Sequence, residues 1–349
     1  MPAPTPRRDR DLYFAGAGLS CAASLPNTPS LLDEVLRLAE HKVWLVTERL
    51  PNRLEDAFEF FYPDATNEGF RPGVVDFFSA LRTFVDIGSG FRGTGFSDAP
   101  DLYRTLKFAI AHLLIERLRD VKDENLRSHR YLDEIVRPGT VIITSNWDLL
   151  IERAAQLKGV PVRLLGRPDA TSVLLLKLHG SLDWCSSFNA KRRITTDDYA
   201  ILSERLFPSR PYTFRMPRAA LSATADREGP LVRVRVLENW NDAWRRMRSR
   251  IRDPHMVTMV RGKSGDLGPL QEVWRDAYGA ISRARRVEIV GYSMPDDDTE
   301  IRTLLRAGIG RGRRRASITI RNPTPDVHDR IRSVLDRTAS SSYTPIEHV

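Results

Sequence analysis

Cysteine is scarce in this chain: Cys21 and Cys185 are the only two in 349 residues. Two thiols cannot build a disulfide framework or a four-thiolate zinc site, so no zinc is expected and a reducing compartment fits. Long apolar runs are missing as well. The longest, at 141–143 and 173–176, fall far short of the ~20 residues that span a bilayer. Met1-Pro2-Ala3-Pro4 carries no apolar signal core. The expectation is a soluble, cytoplasmic chain with no membrane partner. The composition is not that of a disordered protein either, because 41% of the residues are hydrophobic. That is enough for a sizeable core, and the length suggests two domains or one domain with large insertions. A concentrated basic tract is also absent. The net charge of +9 is distributed over short arginine clusters at 245–250, 283–286 and 311–315. Solvated helix faces account for these clusters as well as contact with a nucleic-acid-bound partner does, and direct nucleic-acid binding stays open.

What is present is an alternation of strands and helices. Residues 11–15 read as a strand feeding the glycine turn Gly16-Ala17-Gly18. Ser30-Leu31-Leu32-Asp33 has the form of a capping box opening an amphipathic helix through Leu38. From there to about Arg130 the apolar spacing is helical, broken by a glycine-rich piece at 88–95 that reads as a mobile loop. Strands are expected at 141–144, 162–165 and 173–178, with a helix from Asp148 to Lys158. Residues 186–255 are irregular and punctuated by proline, with Trp240 and Trp244 one helical turn apart as packing residues. Strands at 256–260, 287–291 and 316–321 then alternate with helices at 270–284, 299–307 and 325–335. This order predicts an α/β, Rossmann-like parallel sheet with helices on both faces. Its core would comprise 1–29, 131–185 and 256–349, with a helical insertion at 30–130 and a second, irregular insertion at 186–255.

In such a sheet, chemistry gathers at the C-terminal strand edge. Ser145-Asn146-Trp147-Asp148 and Leu178-His179-Gly180-Ser181 each end an apolar strand there. Gly16 and Gly18 remove side chains where a backbone approaches phosphate, and the helix start after them offers N–H groups. The third glycine of the dinucleotide fingerprint is replaced by Cys21, so an ordinary tight turn explains the glycines equally. Ser20 supplies a hydroxyl for phosphate or a helix cap. Asn146 can hold a ribose hydroxyl or a water at any pH, while Asp148 accepts from a carboxamide or opens the next helix as an Asx turn. His179 is suited to general-base work near neutral pH, or is a satisfied structural histidine. Asp296-Asp297-Asp298 reads as favourable charge at a helix N-terminus rather than a metal site.

These pieces, in this order, resemble the sirtuin-type NAD-binding domain, and in particular its divergent bacterial branch of NAD hydrolases. The carriers are Gly16-Ala17-Gly18-Leu19-Ser20, Ser145-Asn146-Trp147-Asp148, Leu178-His179-Gly180, Gly291-Tyr292-Ser293 and Asn322, spanning 11–323. The resemblance implies NAD as substrate, with Gly16, Ala17, Gly18 and Ser20 at the pyrophosphate and Asn146 and Asp148 at the nicotinamide ribose and nicotinamide. His179 would be the base, with Gly291 and Ser293 on the adenosine side and Asn322 at its ribose. Deacylases of the family carry four zinc thiolates, which this chain lacks, so 186–255 stands in place of the zinc module. The Gly-Ile-Pro-x-Phe-Arg stretch is reduced to Ser24-Leu25-Pro26. Water is therefore the expected acceptor, and catalysis is assigned to Asn146 and His179. The resemblance further implies an anti-phage effector that depletes NAD, gated by homo-oligomerisation or by a partner such as an ATPase or nucleic-acid sensor. A lysine deacylase and a non-catalytic module sensing NAD or ADP-ribose are the alternatives.

Overall fold

The computed structural model describes residues 11–41, 50–64, 72–87, 98–186, 199–200, 231–233, 235–236, 254–311, 316–335 and 340–343. Its centre is a seven-stranded, wholly parallel sheet. The strands are β1 (Asp11–Ala15), β2 (Val141–Thr144), β3 (Val162–Arg163), β4 (Val173–Lys177), β10 (Arg286–Val290), β11 (Ser317–Arg321) and β12 (Ser340–Tyr343). Across the sheet they run β12-β11-β10-β1-β2-β4-β3. Every residue of β2 and β4 is buried. Strands covered on both faces are selected as continuous runs of β-branched and leucine side chains, as Val-Ile-Ile-Thr and Val-Leu-Leu-Leu are here.

The segment between β1 and β2 is helical: α1 (Ala17–Cys21), α2 (Leu31–His41), α3 (Leu50–Phe61), α4 (Val74–Asp86), α5 (Asp98–Asp120), α6 (Asp123–Ser128) and α7 (Arg130–Ile135). Phe58 and Phe77 pack at 4.6 Å between ring centroids, and Phe78 and Tyr103 at 5.7 Å. These contacts knit α3, α4 and α5 into the same apolar core as the sheet. Helices α8 (Leu150–Leu157), α9 (Gln271–Arg283), α10 (Thr299–Arg311) and α11 (Pro325–Leu335) make the crossovers between parallel strands. No helix among the described residues is long and apolar enough to cross a membrane.

Three elements differ from the sequence expectation. The strand placed at 256–260 is β9 (Pro254–Met256), and it does not join the parallel sheet. It pairs antiparallel with β5 (Gly180–Ser186), whose other neighbour is β7 (Leu231–Arg233), while β6 (Tyr199–Ala200) and β8 (Arg235–Val236) pair parallel with each other. Pro254 has no N–H to donate, which suits an edge strand. Strand β5 begins directly after His179, and Gly180 makes that reversal feasible. At φ +80°, a Cβ there would lie 2.0 Å from the His255 carbonyl oxygen. Strand β12 went unforeseen because Ser340-Ser341-Ser342-Tyr343 has no apolar run, as an edge position permits. At α2, Ser30 Oγ donates to Asn27 O and Glu34 Oε1, both 3.3 Å, in place of the expected Ser30–Asp33 box. The loop at 88–95, Trp240, Trp244 and the arginines of 245–250 lie outside the described residues.

Candidate active site at the strand edge

Because the seven strands are parallel, their C-terminal ends share one edge. The chain leaves β1 toward β2 on one side and later returns to place β10 on the other, a topological switch point. From β11 to β4, adjacent strands deliver Asn322, Gly291 with Ser293, the turn from Gly16 to Ser20, Asn146 with Asp148, and finally His179. Four strand spacings make this row about 19 Å long.

Asn146, Ser20, Asp148 and Gly16 form one buried network. Asn146 Nδ2 donates to Gly16 O and to Ser20 Oγ, both at 3.0 Å. Ser20 Oγ donates to Asp148 Oδ2 at 2.8 Å, and Leu150 N–H donates to Asp148 Oδ1 at 2.9 Å. The Asp148 carboxylate thus ties the β1 turn to the start of α8. With both Nδ2 hydrogens engaged, Asn146 retains Oδ1 as the atom through which it can accept from a ligand.

His179 stands beside this network by register. Thr144 pairs with Lys177 across β2 and β4, and Asn146 and His179 each lie two residues beyond that pair. Leu178 N–H donates to Thr144 O at 2.8 Å, which holds the two strand ends together. Among the described residues no hydrogen bond joins His179 to Asn146 directly. His179 is buried, and among the described residues its Nε2 has no hydrogen-bond partner. Burial lowers the imidazole pKa to about 4; Asp298 opposes the shift and Lys263 adds to it. Among the described residues Trp147 Nε1, next to Asn146, is likewise buried without a hydrogen-bond partner. Such atoms are uncommon in folded proteins, and a bound ligand is one way of completing them.

The glycine turn is packed against the loop after β10. The faces that Gly16 and Gly18 leave bare are turned toward the loop after β10, where added Cβ atoms would fall 2.5 Å from Tyr292 Cα and 2.8 Å from Gly291 Cα. Gly18 N–H donates to Gly291 O at 2.8 Å, and Leu19 N–H to Gly16 O at 3.0 Å. Both glycines are therefore required by close packing of one turn on another. Helix α1 has only five residues, so its dipole is small, and Ala17 at its start is half-buried. Ser293 is exposed beside Gly291. Asn322 Oδ1 accepts from Thr324 N–H at 3.0 Å in an Asx turn before α11, which leaves its Nδ2 for a ligand.

Two groups went unrecognised in the sequence. Lys177 is buried at the end of β4, where Nζ donates to Asp148 O at 2.5 Å, Glu152 Oε1 at 2.9 Å and Trp147 O at 3.3 Å. It fixes the backbone of the turn that carries Asn146, and a lysine within Leu-Leu-Leu-Lys-Leu was the available signal. Asp298 is the other. It is buried, accepts from Lys263 Nζ through Oδ1 and from Tyr292 OH through Oδ2 at 2.9 Å, and lies 3.7 Å from His179 Nε2. Reading the three aspartates as helix-terminal charge misses this. Asp296 pairs with Arg302 and Asp297 lies 3.8 Å from Lys263, but Asp298 turns inward toward the histidine. Among the described residues no cluster of three or more His, Cys, Asp or Glu side chains could hold a metal ion.

No curated protein matches the chain. A family model described as "SIR2-like domain" matches residues 140–231, a span that holds Asn146, Asp148 and His179. The match supports a sirtuin-like family and is consistent with NAD-dependent activity.

Proposed function

We propose that this chain hydrolyses NAD to nicotinamide and ADP-ribose. The supporting observation is the order of residues along the sheet edge. Groups that the resemblance assigns to the adenosine end, the pyrophosphate, the nicotinamide ribose and the general base leave five adjacent strands in that order, which supports a dinucleotide lying along the edge. The reaction breaks the bond from ribose C1′ to the nicotinamide nitrogen, which keeps the electron pair. A water oxygen bonds to C1′, and the water's proton passes to His179. Asn146 Oδ1 accepts from the ribose hydroxyl or the water without changing charge with pH. Asp148 and Lys177 hold the Asn146 turn in position, and Gly291, Ser293 and Nδ2 of Asn322 serve the adenosine end. A constantly active enzyme of this kind would exhaust its own cell. The reading therefore includes a gate, either homo-oligomerisation or a partner such as an ATPase or nucleic-acid sensor, and a role in anti-phage defence by NAD depletion.

The test is to incubate the full chain with NAD, alone and with the product of a neighbouring gene, and to follow free nicotinamide. Asn146→Ala and His179→Ala should each lower turnover on the order of a hundredfold or more. Unaltered turnover in either variant refutes the mechanism. Tight NAD binding with no nicotinamide released under any condition would make the chain a sensing module instead.

A further inference from the structure

Asp298 stands between an ammonium and an imidazole. Its Oδ1 accepts from Lys263 Nζ, yet the same oxygen lies 3.7 Å from His179 Nε2, a little beyond hydrogen-bond reach of a buried ring atom without a partner among the described residues. Its Oδ2 is held by Tyr292 OH. Lys263 has a second carboxylate close by, Asp297 Oδ2 at 3.8 Å. A small displacement of the ammonium toward Asp297 would keep its charge paired and leave Asp298 to the imidazole. We propose that Asp298 is a positioning residue for His179, fixing the ring proton on Nε2, and that Lys263 holds this carboxylate back until the ammonium passes to Asp297. The lone pair then lies on Nδ1, which becomes the basic atom. This assignment rests on His179 acting as the base in the reaction proposed above.

The surroundings fit a restraint that can be moved. Lys263 opens the 3-10 turn Lys263–Leu270, preceded by Gly262 at φ +75°. The stretch leading to it is docked on the helices between β1 and β2. Arg261 N–H donates to Ser79 Oγ at 3.0 Å, Arg261 pairs with Asp76 at 3.0 Å, and Tyr103 OH bonds Thr258 Oγ1. These contacts tie the approach to Lys263 to α4 and α5. The groups around the ring come from each neighbouring segment. Asp298, Asp297 and Tyr292 follow β10, and Arg302 on α10 acts on Tyr292. Lys263 and His255 belong to the 254–263 segment, with His255 packed across Gly180. Asp183 lies on β5. Of these, Asp298 and Lys263 act on His179 directly, with opposite sign.

The experiment is a 15N NMR titration of the histidine side chains in the full chain, together with the pH profile of NAD turnover. Lys263→Met should raise the His179 midpoint by about one to three units, populate the Nε2–H tautomer and move the acid limb of turnover the same way. Asp298→Asn should leave the midpoint low, fail to populate the Nε2–H tautomer even when combined with Lys263→Met, and lower kcat with KM retained. Shifts of the same sign in both variants, or a Lys263→Met ring that keeps its proton on Nδ1, overturn the proposal. If Lys263→Met does not fold, Asp297→Asn addresses the same point, since Lys263 is then confined to Asp298 and the midpoint must fall; a constant or rising midpoint refutes it. The NMR arm is decisive even for a chain that releases no nicotinamide, so failure of the hydrolase reading is distinguishable from failure of this one.

Discussion

Replacing Lys177 by methionine tests whether the Asn146 turn is held from below. Lys177 and Glu152 are each 1% exposed and meet at 2.9 Å. Methionine fills most of the stem volume but removes the ammonium, so Glu152 loses its lysine inside a dry region. Breaking a buried pair from one side costs about 3–5 kcal/mol. Losing the donor to the Asp148 carbonyl contributes about 1–3 kcal/mol, not simply additive with the first. The Trp147 carbonyl is less affected because Leu182 N–H also reaches it at 3.0 Å. Against a typical stability of about 5–15 kcal/mol, such a loss removes a large part of the whole. Urea unfolding with an unchanged m-value is the assay. The double variant Lys177→Met with Glu152→Gln removes the uncompensated charge and should recover at least about 1 kcal/mol of the loss. A single-variant loss below about 1 kcal/mol, or strict additivity in the double, would show that the pair does not anchor the turn.

The buried histidine gives stability a defined pH dependence. Its folded pKa of about 4 lies below the ordinary 6.5, so between these values the unfolded chain binds a proton the native ring refuses. Stability is complete above about pH 6.5 and falls as the pH drops toward 4, by about 3 kcal/mol. Subtracting the profile of His179→Gln from that of the unaltered protein should isolate this slope, and a flat difference refutes the buried-neutral assignment. Gly180→Ala should destabilise severely, because both φ +80° and the His255 carbonyl oppose a Cβ. Gly159→Ala, at φ +67° with open space around it, should cost only about 1–2 kcal/mol, and equal midpoints in thermal melts would contradict the distinction. Asp148→Asn should weaken the tie to Ser20 and lower NAD turnover more than it lowers the melting temperature; a proportional fall in both would make it purely structural.

The parallel sheet was legible because buried parallel strands leave an unambiguous trace: Val-Ile-Ile-Thr and Val-Leu-Leu-Leu are apolar on both faces, and helical spacing separates them. The β5–β9 sheet was not. Its strands are half polar, and their pairing depends on a φ-positive glycine meeting a distant carbonyl, which no local pattern encodes. At the site, residues leaving strand ends could be named in advance because adjacency follows from topology. Asp298 could not, and Lys177 showed only as one lysine inside an apolar run. Their partners are backbone carbonyls, a glutamate, a tyrosine on the same loop and a lysine from a distant segment, and a charged side chain alone does not reveal whether it is solvated or buried in a pair.

The glycines carry the argument one step further. Gly16 and Gly18 suggested a phosphate cradle, since close backbone approach is what such a cradle demands, and Gly291 suggested a contact on the adenosine side. In the fold that approach is made by protein on protein: Gly291, at φ +60°, would place a Cβ 2.4 Å from Leu19 N, and Gly18 N–H bonds its carbonyl. The three glycines therefore fasten the β1 turn to the β10 loop across the switch point. That loop continues through Tyr292 to Asp298, and the β1 turn continues through Ser20 to Asn146 and Asp148. The bridge thus joins the network around Asn146 to the cluster facing His179, so a side chain introduced at Gly18 should disturb both. Gly18→Ala is expected to perturb the side-chain resonances of Asn146 and His179 together, and perturbation of Asn146 alone would show that the two halves of the site are independent.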